Sequence, residues 1–244
     1  MIYYTFLIYY KLKYGRIDKN AILQASKNGD VQFLEWFKNS GYEFKYDYSA
    51  INYASMSGNV KVLEWFKNSG YEFKYDECTI NCASMFGRVQ VLEWFKNSGY
   101  VFKYDEKAIN YASELENIEV LEWFKNSGYE FKYNSDAITY ASKNGHVQVL
   151  EWFKNSGYKF KYDNHAIDCA SYNGHVQVLE WFENSEYYLK YTYDAIFYSA
   201  FNKILKFFLK NINIKKIIYW AEDIMIKTIK FKTKNNYIKG YNKN

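Results

Sequence analysis

The run Leu-Glu-Trp-Phe-Lys-Asn-Ser-Gly-Tyr begins unchanged at Leu34, Leu63, Leu92, Leu121 and Leu150. A sixth version, Leu-Glu-Trp-Phe-Glu-Asn-Ser-Glu-Tyr, begins at Leu179. Trp36, Trp65, Trp94, Trp123, Trp152 and Trp181 therefore recur at an interval of 29 residues without insertion or deletion. A period of this length means that one supersecondary unit is copied and that each copy buries its apolar face against the next. The chain is expected to form a linear array.

Each unit runs from one capping residue to the next: Asp18, Asp47, Asp76, Asp105, Asn134 and Asp163, with Thr192 opening a seventh. Six units thus occupy 18–191. In the second, Asp47 suits a helix N-cap because its carboxylate accepts from free first-turn amides. The helix it starts passes through Ser49 to Met56 and stops at Gly58, which tolerates positive φ. At 100° per residue, Tyr53, Ala50, Ala54 and Ile51 share the core face, while Ser49, Asn52 and Met56 share the other.

A second helix follows Asn59, itself a candidate cap, and runs from Val60 to Asn68 before Gly70. Val62, Leu63, Trp65 and Phe66 fall within an arc of roughly 160°, the width of a core-facing stripe. Glu64, Lys61 and Asn68 take the opposite side, and Lys67 sits at the border, where its stem packs and its ammonium reaches water. Tyr71-Glu72-Phe73-Lys74-Tyr75-Asp76 then alternates aromatic and charged residues, as an extended connector with one wet face does. Helices this short gain stability only by stacking on neighbours.

The order of these pieces resembles the ankyrin repeat. Ala141-Ser142-Lys143-Asn144-Gly145-His146-Val147-Gln148-Val149-Leu150 through Gly157 matches the family's Ala-Ala, Gly-His, Val/Leu-rich helix and closing glycine, and Ala170 to His175 repeats the match. The resemblance covers 18–191 and implies an all-α helix-turn-helix solenoid whose first helices line a concave, partner-binding face. It also makes His146 and His175 turn or cap residues. The period is four residues below the family's 33, so the hairpin between units shrinks to a connector. Ser49-Ala50-Ile51-Asn52 stands where the family has Thr-Pro-Leu-His, and Lys67 and its equivalents replace a paired leucine. The wording of the repeat is most similar to ankyrin proteins of giant viruses that infect amoebae. The lack of proline and the abundance of Lys, Asn, Ile and Tyr fit an AT-rich coding sequence of that kind.

Both ends depart from the repeat, as ends with one neighbour do. Residues 1–17 read as a worn second helix and connector, and Met1–Tyr10 is too short to span a bilayer and lacks a basic leader. Residues 192–230 read as a degenerate repeat and a capping helix, and 231–244 as a basic tail. Residues 203–244 hold eleven lysines against Glu222 and Asp223, a net of +9, which with a whole-chain charge of +5 leaves −4 for 1–202. A basic end either keeps the protein in solution or meets nucleic acid or an anionic membrane. It contains no arginine and no nucleic-acid recognition motif.

Chemistry-bearing patterns are sparse. No phosphate-cradling glycine loop, nucleophile elbow or metalloprotease helix occurs. His146 and His175 share one slot in successive units but lack further ligands for a metal. Cys82 and Cys169 occupy the tyrosine position of the first helix, where a small residue packs, and three cysteines without pairing logic fit a reducing cytoplasm. The expectation is a monomeric, non-enzymatic protein without cofactor. The tryptophans are expected in the core rather than as stacking platforms, which need exposed rings beside a basic groove.

Because the units are near-identical, their differences carry the information. On the outward side of the first helix the triplets read Asn20/Leu23/Lys27, Ser49/Asn52/Met56, Cys78/Asn81/Met85, Lys107/Asn110/Glu114, Asp136/Thr139/Lys143 and His165/Asp168/Tyr172. At i, i+3 and i+7 each lies along one side of its helix, and stacking joins them into a band. Met56, Met85 and Tyr172 are residue types that suit interfaces. Unrestrained drift at exposed sites would produce the same band, so it is a candidate only. One backbone position also stands out: Glu116 occupies the slot of Gly29, Gly58, Gly87, Gly145 and Gly174, where positive φ is expected.

Overall fold

In the computed structural model of the protein, residues 2–192, 194 and 195 are described, with side chains from Leu7 onward. The capping helix and basic tail expected within 196–244 lie outside these residues. The described part is thirteen helices without a strand. Helix α1 (Ile2–Tyr14) precedes six pairs: α2 (Lys19–Asn28) and α3 (Val31–Asn39), α4 (Tyr48–Ser57) and α5 (Val60–Asn68), α6 (Glu77–Met85) and α7 (Val89–Asn97), α8 (Lys107–Glu114) and α9 (Ile118–Ser127), α10 (Asp136–Asn144) and α11 (Val147–Asn155), α12 (Asn164–Asn173) and α13 (Val176–Asn184).

The first helix of each pair buries Ala50, Ile51, Ala54 and Ser55 or their equivalents. The serine corrects the helical-wheel reading, which gave the core to Tyr53. Tyr53, Cys82, Tyr111, Tyr140 and Cys169 are half-buried at the flank instead. A serine hydroxyl fits where helices nearly touch because it finds a local acceptor: Ser26, Ser84 and Ser113 donate to the carbonyls of Ile22, Ile80 and Ile109, each at 2.8 Å. The second helix buries Val62, Leu63 and Phe66, with Trp65 half-exposed.

Interaxial distance follows side-chain size. The first helices, lined by Ala and Ser, pack closely on one another along the array, whereas successive second helices touch sparingly. The second-helix row is therefore the longer, and the solenoid bends with its first helices inside the curve.

The connectors lock units together through side chains. Phe73 stacks on Tyr100 at 4.5 Å and meets Phe95 edge-on at 6.1 Å. Tyr75 Oη donates to Val101 O at 3.0 Å, and Tyr46, Tyr104, Tyr133 and Tyr162 donate to the equivalent carbonyl one unit on. The connector lysines fold back rather than simply facing water. Lys103, Lys132, Lys161 and Lys190 place their ammoniums 4.4, 4.5, 4.1 and 4.2 Å from the rings of Tyr75, Tyr104, Tyr133 and Tyr162.

At the N-terminal end α1 covers the first pair. Tyr10 is buried against Phe33 and Trp36, at 4.9 and 5.0 Å between ring centres. Lys13 Nζ and Tyr14 Oη both donate to Asp30 Oδ2 at 2.6 Å. Burial, then the Asp30 carboxylate, push the Tyr14 phenol up to about 12.

Candidate partner-binding surface

Two sets of recurring bonds hold the candidate band in place. The first lies at the turn between paired helices. Asn59 leaves its own helix uncapped and instead donates to Ser26 O and Lys27 O of the preceding unit, at 2.9 and 2.8 Å. Arg88 reaches Met56 O at 2.9 Å, Asn117 reaches Met85 O at 2.7 Å, and His146 Nε2 lies 3.0 Å from Glu114 O. Each satisfies a carbonyl orphaned at a first-helix C-terminus. Asn59, read as a cap of its own helix, thus caps the preceding one instead, and His146 sits in the turn with its ring on the preceding unit. Three of the four are preceded by glycine at positive φ, as Gly58 at 78°, and the fourth, Asn117, by Glu116 at 57°.

The second set takes the middle member of four of the six triplets. Asn81 donates to Asp105 Oδ1 and Asn110 to Asn134 Oδ1, both at 2.8 Å, and Asn52 reaches Asp76 Oδ1 at 3.4 Å. Asp168 accepts from Thr192 N and Oγ1 at 2.8 and 2.7 Å. Asn81 and Asn110 are buried, so the outward placement of these two does not hold. The close packing of first helices turns the position into a tie to the next N-cap. Thr139 and Asp168 are half-buried there.

The first and third members remain at the surface. Cys78, Lys107, Lys143, His165 and Tyr172 are exposed, and Ser49, Met56, Met85, Glu114 and Asp136 are half-buried. Beside them stand two residues that the i, i+3, i+7 sampling passed over, Phe86 and Leu115, 38% and 44% exposed. Their counterparts are Asn28, Ser57, Asn144 and Asn173. A column-by-column comparison would have found them, as it would the exposed connector residues Val101 and Tyr188.

The opposite face carries a different and invariant array. Trp65, Trp94, Trp123 and Trp181 Nε1 donate to Glu35, Glu64, Glu93 and Glu151 of the preceding unit at 2.8 to 2.9 Å, and Trp152 to Glu122 at 2.5 Å. The indole bond, aided by an asparagine one turn on, holds the carboxyls of Glu35, Glu64, Glu93 and Glu151 below the usual carboxylate range. Lys67, Lys96, Lys125 and Lys154 lie 5.8 to 6.0 Å from the next unit's indole. These rings are spacers between widely set helices, with Glu and Lys closing both sides.

Among the described residues no three His, Cys, Asp or Glu side chains stand close enough to hold a metal. Cys78, Cys82 and Cys169 are free, and burial pushes all three thiols up. No described helix is long and apolar enough to cross a membrane. No protein-family model matches the sequence, and no curated protein does. Among solved structures, the ankyrin repeat domain of human ASB11 matches with a TM-score of 0.55 at 12% identity, over 69% of this chain and 85% of that one. The fold is an ankyrin-repeat solenoid. At that identity the likeness concerns architecture alone.

Proposed function

We propose that the protein is a non-enzymatic scaffold that binds a protein partner on the inner face of the solenoid. The supporting observation is a division of labour between positions. Residues that tie units together (the Trp–Glu pairs, the connector tyrosines, the buried serines) recur with little change, while Cys78, Lys107, Lys143, His165 and Tyr172 differ from unit to unit on one continuous, solvent-facing strip. A rigid frame carrying a varied strip is what recognition of another surface requires. Together with the wording of the repeat, this favours a monomeric viral protein that meets a host partner in the cytoplasm.

Affinity capture from amoebal lysate tests the reading. Charge reversal at Lys107 and Lys143 with alanine at Met85 and Tyr172 is expected to reduce recovery of a specific partner at least tenfold, with the melting temperature kept. Unchanged recovery overturns it. The +9 charge of residues 203–244 supports a second reading, binding of nucleic acid or an anionic membrane through that segment. Steep loss of binding between low and physiological salt would favour the second, because phosphate contacts release counterions.

A further inference from the structure

The band is not uniform, and its third and fourth units depart most from the rest. At the last position of the first helix the other units carry Asn28, Ser57, Asn144 and Asn173, but these two carry Phe86 and Leu115. The helices also end sooner. Helices α6 and α8 stop at Met85 and Glu114, leaving Phe86 and Leu115 as C-caps at φ −101° and −110°, whereas Ser57, Asn144 and Asn173 remain helical. Both side chains are exposed, at the same register on adjacent helices of the closely packed row, next to the half-buried Met56 and Met85. Exchanging asparagine for Phe and Leu at exposed sites places apolar surface in water unless something covers it.

Charge indicates what would cover it. Between cap and second helix, the fourth unit is the most acidic stretch of its kind, with Asp105, Glu106, Glu114 and Glu116 against Lys107. Glu114 and Glu116 flank Leu115 directly. Nearby, Arg88 Nε is held by Met56 O at 2.9 Å, the His146 ring lies 3.4 Å from Glu116 through Nδ1, and Lys143, at the register of Glu114 on α10, forms no ion pair with either carboxylate. Lys107 sits at the other end of α8, 3.8 Å from Asp105. The apolar patch is thus bordered by carboxylates with free accepting capacity.

We propose that Met56, Met85, Phe86 and Leu115 form an anchor site for a partner segment presenting a bulky apolar side chain beside a lysine or arginine, with Glu114 and Glu116 receiving the cation. Burial of the apolar residue supplies affinity, and the carboxylates select against acidic segments. The proposal rests on the scaffold reading and gives it a location and a partner chemistry.

The test is selection of random 16-residue displayed peptides on the full chain and on its Phe86→Asn/Leu115→Asn variant. Asparagine is already accepted at this position in three units, so the variant is expected to keep its melting temperature. Enriched peptides should carry a large apolar residue within three positions of Lys or Arg and bind the variant at least tenfold more weakly. Glu114→Lys, a residue found at this position in two other units, should weaken them at least threefold. Failure to enrich, enrichment without cations, or equal binding to the variant overturns the site. So does photo-crosslinking from benzoylphenylalanine at position 86 that lands on a second copy or on residues 203–244, since either would be the occupant instead. If peptides bind independently of the patch while the Lys107/Lys143 variant still loses its captured partner, the scaffold stands without this site. Failure of both removes both.

Discussion

The two rows of helices solve the same packing problem with opposite materials. The inner row uses Ala50, Ala54 and Ser55 and their equivalents to bring backbones close, while the outer row uses Val62, Leu63, Trp65 and Phe66 to hold them apart. The exposed positions of the inner row vary, while those of the outer row carry a ladder of Glu, Trp and Lys that changes only at the ends, where Glu183 replaces the lysine and Lys38 lies over Tyr71. Curvature and variation share one cause: the side that packs on small residues has its outward positions free to differ.

If the outer row is an aromatic spacer, emptying it should cost most. Phe95 is fully buried among Phe73, Tyr75 and Trp94. Phe95→Ala should destabilise by about 3–5 kcal/mol, read as a fall in urea midpoint. A loss below about 1 kcal/mol would mean the row collapses around the gap and is no spacer.

The inner row should fail in the other direction. Ala83 is fully buried where α6 meets its neighbours. Ala83→Leu adds volume with nowhere to go and should cost about 1–3 kcal/mol. The same change at an outward position such as Ser49 should be nearly neutral. Equal effects at the two sites would contradict the close packing assigned to this row.

The comparison also shows how far a sequence carries. The 29-residue phase and two wheels per unit were enough for the helix pairs and for the arc of Val62, Leu63, Trp65 and Phe66. A wheel considers each helix alone, so it missed whatever acts between copies. Glu64 reads as a solvated residue until Trp94, thirty positions on, is seen to donate to it. Asn81 reads as outward until Asp105 is found 2.8 Å away. For the surface, the first and third members of the triplets lie where the wheel put them, Asn81 and Asn110 do not, and Phe86 and Leu115 escaped the sampling because they lie one residue beyond its spacing.

The outer ladder predicts a pH response. Hydrogen bonds from the tryptophans depress the Glu35, Glu64, Glu93 and Glu151 carboxyls in the folded chain. A depressed acid stabilises above its unfolded value and loses that contribution as pH falls through the folded one. Melting temperature should therefore be insensitive to these groups at neutral pH and drop below the usual carboxylate range. These carboxyls are almost fully solvated, so each contributes roughly a few tenths of a kcal/mol after screening. Replacing Trp65, Trp94, Trp123 and Trp181 by phenylalanine should flatten the acid limb. An acid limb of unchanged slope would remove the ladder from the account.

The smallest effect is expected where the inner row departs from its own rule. Glu116 has φ 57°, the one non-glycine among the described residues in the left-handed region. The backbone bonds of the turn still form, with Asn117 N donating to Ala112 O at 2.8 Å, so the strain is borne locally rather than relieved by rebuilding the turn. Removing the Cβ relieves about 1–2 kcal/mol of left-handed strain, and glycine's extra freedom in the unfolded chain returns part of it. The contact of Glu116 with His146 Nδ1 at 3.4 Å is also lost, a half-exposed pair of small worth. The balance favours glycine, and Glu116→Gly should stabilise by about 0.5–1 kcal/mol, visible as a rise in urea midpoint. A lower midpoint would mean that the Glu116–His146 contact outweighs the strain. Binding of basic peptides supplies the second readout: if Glu116 receives their cation, the stabilised variant should bind them more weakly. A more stable protein that binds less well would show that this strained residue serves the partner rather than the fold.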